Sequence, residues 1–107
     1  MVLEPLAHSF LDNKVTRSCK ITKYDDDQKV SESLLWFRFG EEITLPDERD
    51  ADAYLLAMVM DAMKERRKIV IKGAVSRQLL SNLVEYQLAW QKWRPDLYRY
   101  VDIQVDE

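Results

Sequence analysis

The chain has 107 residues, of which 47% are hydrophobic and 33% are charged, and its net charge is −3. This length suits one domain with its own core, and this composition is typical of a globular rather than a disordered chain. The acidic balance argues against generic nucleic-acid binding, which needs a basic excess, although it leaves room for a local basic patch.

The cysteine content and the N-terminal segment predict a cytoplasmic address. Cys19 is the one cysteine, so no internal disulfide can form, and no spacing of cysteine and histidine resembles a zinc site. Residues 1–5 lack the basic segment and apolar stretch of a secretory signal. No segment approaches the roughly 20 apolar residues that span a bilayer, so we expect no membrane partner.

Residues 1–13 are predicted as a tail. Asp12 and Asn13 form a good turn signal at its end, and the first clear periodic pattern begins only after them. A single α+β domain is therefore expected over residues 14–107.

Two antiparallel strands are predicted at the start of this domain. Val15, Cys19 and Ile21 alternate with polar side chains, which predicts a strand over residues 14–24 that is buried on one side. After an acidic turn, the aromatic-rich segment 33–39 is typical of a second strand that pairs with the first.

The two faces of the second strand are predicted to have different roles. Leu35 and Phe37 lie on the face that we assign to the core. Leu34, Trp36 and Arg38 lie on the opposite face. If nothing in the monomer covers that face, these side chains form a surface of the kind that binds a partner.

The apolar spacing becomes helical from Asp52, and the apolar arc is wide, so we expect this helix to pack on more than one side. Ser76 is predicted as the N-cap of a second helix. In chain order, the remaining predicted elements are a helix over residues 52–68, a strand over 69–71, a helix over 77–93 and a strand over 101–105.

The order β-β-α-β-α-β predicts an α+β fold in which two helices pack on a mixed sheet of about four strands. The connections between helices and strands are short, which favours packing of the helices on the sheet. Strand order is not readable from this pattern. An unpaired strand edge could pair across a two-fold axis, so a homodimer is a candidate assembly.

No catalytic centre, cofactor site or metal site is predicted. Gly40 and Gly73 are the only glycines, which excludes both a G-x-G-x-x-G turn and a Walker-type phosphate loop. The single histidine, His8, lies in the predicted tail. We therefore expect a protein that is not an enzyme.

A basic cluster at the end of the first predicted helix has two interpretations. It can be a solvated helix end that satisfies the helix dipole, or a docking patch for an acidic partner or for RNA phosphates. With the tryptophans as stacking platforms, the second interpretation gives an RNA-binding module as the alternative function. The cluster comprises Lys64, Arg66 and Arg67, with Lys72 and Arg77 nearby.

Three stretches between Leu34 and Val105 carry a resemblance to a known type of domain: residues 35–37, 52–57 and 71–87. They resemble a region of uncharacterised bacterial proteins that precedes a PP-loop ATP-pyrophosphatase domain similar to 7-cyano-7-deazaguanine synthase. The Ser-Gly-Gly-x-Asp-Ser type of phosphate loop of such enzymes is missing from this sequence. The resemblance therefore implies ATP chemistry outside this chain and transfers no catalytic residue.

The first functional hypothesis is a non-catalytic accessory or protein-interaction domain, which either belongs to a larger ATP-using enzyme or acts through a protein partner. The candidate partner surface consists of Leu34, Trp36, Arg38, Lys64, Arg66, Arg67, Lys72 and Arg77.

Overall fold

A computed structural model describes residues 1–106, which form an α+β fold with two helices packed on a mixed sheet. The fold class predicted from the sequence is confirmed, although the sheet has six strands rather than about four. In chain order the elements are β1 (Val2–Pro5), β2 (Ser9–Leu11), β3 (Lys14–Asp25), β4 (Gln28–Gly40), α1 (Asp52–Glu65), β5 (Ile69–Ile71), α2 (Arg77–Trp93) and β6 (Ile103–Val105).

The long strand β3 organises the sheet. β1 and β2 pair with β3 antiparallel at different points along its length, so they lie end to end against one of its edges. β4 pairs antiparallel with the same residues of β3 and therefore occupies the other edge. β5 pairs parallel with β1, and β6 pairs parallel with β5. Among residues 1–106, β2, β4 and β6 each pair with a single strand, so each of them borders the sheet.

The prediction of a tail over residues 1–13 is wrong. β1 lies between β3 and β5, and Leu3 is fully buried in the core. Neither β1 nor β2 exceeds four residues, so their sequence carries no clear period, and their pairing partners are distant in the chain. The turn predicted at Asp12 and Asn13 joins β2 to β3, with positive φ angles of 51° and 62° at these residues.

One face of the sheet carries the core. Cys19 and Ile21 of β3 point to this face and are buried together with Leu55 and Val59 of α1. The Phe37 ring of β4 stacks on Tyr54 of α1, with the ring centroids 6.0 Å apart. The alternate side chains of β3 and β4 point to the opposite face and, apart from the buried Thr22, are more exposed. The sheet therefore has one covered face and one open face.

The bounds of three elements differ from the predicted ones. β4 begins at Gln28 rather than residue 33, because its first half pairs with β3 although Val30 is its only apolar residue. α1 ends at Glu65, since Arg66 adopts the left-handed conformation and the Arg67 N–H donates to the Ala62 carbonyl at 2.9 Å. β6 begins at Ile103 rather than residue 101.

The second helix agrees with the prediction. α2 spans Arg77–Trp93, and the hydroxyl of its N-cap residue Ser76 accepts a hydrogen bond from the Leu79 N–H at 3.2 Å. Neither α1 nor α2, the helices formed by residues 1–106, is long and apolar enough to cross a membrane.

Candidate protein-docking surface

Two large apolar side chains of β4 are exposed to solvent and adjacent to each other on the open face of the sheet. Leu34 is 59% exposed and Trp36 is 54% exposed. They occupy alternate positions of one strand, so they point to the same side. Their neighbours across β3 are Lys20 and Ser18, which are polar. The two side chains therefore form a small apolar strip along the border of the sheet.

Arg38 extends this strip at the end of β4. Its guanidinium carbon lies 5.1 Å from the centroid of the Trp36 ring, within the range of a cation–π interaction. Its Nε donates a long hydrogen bond of 3.4 Å to the Thr16 hydroxyl. Arg38 forms no ion pair among residues 1–106. Its charge is thus held beside the indole ring, and the described part of the chain supplies no anionic partner for it.

The backbone of β4 offers hydrogen-bonding groups on its outer edge. In the part of the chain that the structure describes, β4 pairs with no strand except β3. In an antiparallel pair, N–H and C=O groups at alternate residues point away from the partner strand. This border strand spans Gln28–Gly40 and can therefore pair with a further strand along its length. We call this edge, together with Leu34, Trp36 and Arg38, the β4 surface.

The structure does not bring the predicted basic cluster together as one patch. Lys64, Arg66 and Arg67 lie at the end of α1, before β5 begins. Lys72 follows the last residue of β5, and Arg77 opens α2. The two groups of cations therefore lie beyond opposite ends of β5, and neither group adjoins Trp36.

Arg67 is largely committed to structural contacts. Its guanidinium donates to the Tyr24 carbonyl at 2.6 Å and forms ion pairs with Asp25 and Glu65 at 2.8 and 2.9 Å. The hydrogen bond to Glu65, and then the one to Asp25, raise the pKa of Arg67. These contacts join the β3–β4 hairpin to the end of α1.

A groove of about 730 Å³ adjoins these contacts and has mixed charge. Its walls include the cations Arg66 and Lys68 and the acidic hairpin residues Asp25, Asp26 and Asp27. The carboxylates partly neutralise the basic residues in the same groove. An anion would therefore meet a weaker field here than the run of basic residues in the sequence indicates.

The groups considered for nucleophilic chemistry are buried or engaged. Cys19 is fully buried, and this burial raises the pKa of its thiol to about 12, so the thiol is protonated at neutral pH. The His8 Nε2 accepts a hydrogen bond from the Arg17 Nε at 3.3 Å. Among residues 1–106, no group of three or more His, Cys, Asp or Glu is arranged to hold a metal ion.

One partly apolar groove was not predicted from the sequence. It has a volume of about 640 Å³, and its lining includes Phe10 of β2 with Ile43 and Leu45 of the β4–α1 connection. Phe10 is 73% exposed. Phe10 lies in the segment that was predicted as a tail, so nothing in the sequence indicated that it belongs to the sheet.

Comparisons of this chain with protein-family models, with curated proteins and with solved structures found no match.

Proposed function

We propose that this chain is a non-catalytic protein-interaction domain and that the β4 surface is its docking site. The observation that carries this proposal is the exposure of Leu34 and Trp36, each more than half exposed, beside a strand edge that pairs with no other strand within residues 1–106. Removing apolar area from water contributes roughly 25 cal/mol per Å², so a partner that covers both side chains gains binding free energy.

The edge and the side chains contribute differently to such binding. Backbone groups of a border strand give affinity through main-chain hydrogen bonds with an added strand, and alternate side chains give specificity. Tryptophan and arginine are enriched among the residues that dominate interface energies, and Trp36 and Arg38 are stacked in the β4 surface. Both contributions come from one strand, which favours an extended protein segment as the partner.

The alternative of an RNA-binding module receives less support. Its basic residues are divided between opposite ends of β5, and Arg67 is paired with Glu65 and Asp25. Binding of single-stranded RNA combines a continuous positive groove with aromatic platforms, and here Trp36 lies apart from the cations of α1. A role beside a larger ATP-using enzyme rests on the resemblance alone and stays a prediction.

The proposal is tested by capture of partners from extracts of the source cells with two matched variants. Leu34→Asp/Trp36→Asp places charges in the β4 surface, and Val84→Asp/Leu88→Asp places them at exposed apolar positions on α2. We expect the wild type and the α2 variant to retain the same stoichiometric protein, which can be an untagged copy of this chain. We expect the β4 variant to lose it.

Circular dichroism of each variant establishes that it is folded before capture is compared. Equal retention by the β4 variant contradicts the proposal, because the partner then binds elsewhere. Equal loss in both variants, or no stoichiometric partner for the wild type, contradicts it as well.

A further inference from the structure

The geometry points to a second copy of this chain as the occupant of the β4 surface, bound by antiparallel β4–β4 pairing across a two-fold axis through Leu35. This inference rests on the proposed function and names its partner. It is carried by the self-complementary order of charged and apolar side chains along β4.

A two-fold axis through an antiparallel strand pair restricts which residues can face each other. Residues at equal distances from the axis, one on each side, become opposite neighbours. Residues whose backbone N–H and C=O groups point outward alternate along β4. Only an axis that passes through a residue, and not between two residues, brings the outward-pointing groups of the two copies opposite each other. The position of the axis is therefore the single choice that decides the pairing.

An axis through Leu35 gives complementary pairs on the open face. It places Leu34 of one copy opposite Trp36 of the other, so that the two exposed apolar side chains cover each other. It places Glu32 opposite Arg38, which pairs opposite charges. Each pair occurs twice because of the symmetry. Directly opposite side chains in antiparallel strands are the closest cross-strand neighbours, and such pairs stabilise a sheet.

Neighbouring axes give poorer pairs. An axis through Leu34 places Glu32 opposite Trp36, and an axis through Trp36 places Leu34 opposite Arg38. Both arrangements set a charged side chain against an exposed apolar one, and neither places Glu32 opposite Arg38. Covering the Arg38 guanidinium without an anionic partner costs free energy, so these alternatives are less stable than the axis through Leu35.

The charges that this pairing uses are present in the monomer. Glu32 forms an ion pair with Lys29, and the hydrogen bond from Lys29 lowers the pKa of Glu32, so its carboxylate is ionised at neutral pH. Arg38 has no ion-pair partner among residues 1–106. The carboxylate of the second copy supplies that partner, while the cation–π contact with Trp36 remains.

The pairing also keeps the two folds compatible. Opposite residues of an antiparallel pair point to the same face, so the open faces of both copies join into one surface. α1 and α2 of both copies then lie together on the covered side. Ser33 of one copy lies opposite Phe37 of the other on that side, so no charged side chain enters the junction there.

The test measures the mass of the purified chain in solution and exchanges the two charges. Sedimentation equilibrium of the wild type is expected to show a dimer of the 12.7 kDa chain. Arg38→Glu and Glu32→Arg each place like charges opposite one another, and each is expected to raise the dissociation constant about tenfold or more. The combined variant restores opposite charges and is expected to recover dimerisation. Lys92→Glu, at an exposed position on α2, is the matched control and is expected to change nothing.

The outcomes separate this inference from the proposed function. A wild type that stays monomeric at its highest soluble concentration overturns the second-copy inference, and so does a dimer that the single charge exchanges leave unchanged. If the capture experiment still shows a different protein that depends on Leu34 and Trp36, the proposed function stands with another partner. If that dependence is lost too, both are overturned.

Discussion

Single buried polar residues hold parts of this fold that are not in regular elements. Gln87 of α2 is 1% exposed, and its side-chain amide donates to the Val101 carbonyl at 3.2 Å and accepts from the Val101 N–H at 2.8 Å. It thereby satisfies both backbone groups of a buried residue, as a neighbouring strand would. This contact fixes the chain two residues before β6 begins.

Replacing Gln87 by leucine is expected to lower the free energy of unfolding by roughly 2–3 kcal/mol, because two buried backbone groups of Val101 lose their partners. Urea denaturation measures this change, with Gln78→Leu at an exposed position of α2 as the control. A change equal to that of the control would mean that the Val101 groups find other partners.

Arg17 is a second such residue, and its role was not apparent from the sequence. It lies on the covered face of β3, is only 4% exposed, and packs over the Tyr54 ring at 5.1 Å. Its guanidinium donates to the backbone carbonyls of Asp50 and Asp47 at 2.7 and 3.3 Å. A cation at this position joins the β4–α1 connection to the sheet, which strand alternation alone does not indicate.

At the scale of elements, the connection between β5 and α2 passes very close to another backbone segment. The Ala74 N–H donates to the Arg49 carbonyl at 2.9 Å, and the Ala51 N–H donates to the Ala74 carbonyl at 2.8 Å. A Cβ atom at Gly73 would lie 2.6 Å from the Arg49 carbonyl oxygen and 3.1 Å from the Pro5 Cγ. Only glycine fits this crossing without a backbone shift.

Gly73→Ala is therefore expected to lower the free energy of unfolding by about 1–3 kcal/mol, which thermal or urea denaturation would measure. Gly40→Ala is the matched control, because a Cβ there meets only the flexible carboxylate of Glu42. Similar stability of the two variants would show that the crossing adjusts easily and that the close approach has little energetic weight.

At the scale of the whole molecule, a small ionic network joins the β3–β4 hairpin to the end of α1. The Lys23 ammonium donates to Glu65 at 2.7 Å, and Arg67 bridges Glu65 and Asp25. The β3 residues of this network, Lys23 and Asp25, lie 42 positions before their partners Glu65 and Arg67 in the chain, so the network forms only when the end of α1 lies against the hairpin. The hydrogen bond from Lys23, opposed by partial burial and reinforced by Arg67, lowers the pKa of Glu65.

This lowered pKa predicts a pH dependence of stability. A carboxyl group whose folded pKa lies below its unfolded value adds stability above the unfolded pKa and loses it as pH falls through the folded one. Glu65→Gln is expected to be less stable than the wild type at neutral pH by roughly 0.5–1 kcal/mol, a value reduced for solvent screening. The difference should shrink from about pH 5 to about pH 3.

Urea denaturation across this pH range measures the difference, and Glu85→Gln at an exposed position of α2 is the control. A difference for Glu65→Gln that stays constant with pH would show that its carboxylate is not the group that responds.

Much of the fold was predictable where the signal is local. α2 was located because Leu79, Leu83 and Trp90 recur at helical spacing after the cap residue Ser76. The turns before β3 and before β4, with positive φ angles at residues 12–13 and 26–27, also lie where they were expected. β1 was missed because four residues with mixed polarity show no period, and its stability comes from pairing with β3 and β5. For the candidate site, the alternation of side chains along β4 correctly placed Trp36 and Phe37 on opposite faces of the sheet. The division of the basic cluster into two groups was not predicted, because it depends on the position of β5 between them.

Local sequence patterns are sufficient to locate α2, the turns and the two faces of β4, because caps, turns and side-chain periods act over a few neighbouring residues. The entry of the N-terminal residues into the sheet, the border position of β4 and the exposure of Leu34 and Trp36 become visible only in the folded chain. These features depend on pairing and packing between segments distant in the chain, whose free energies no local pattern records.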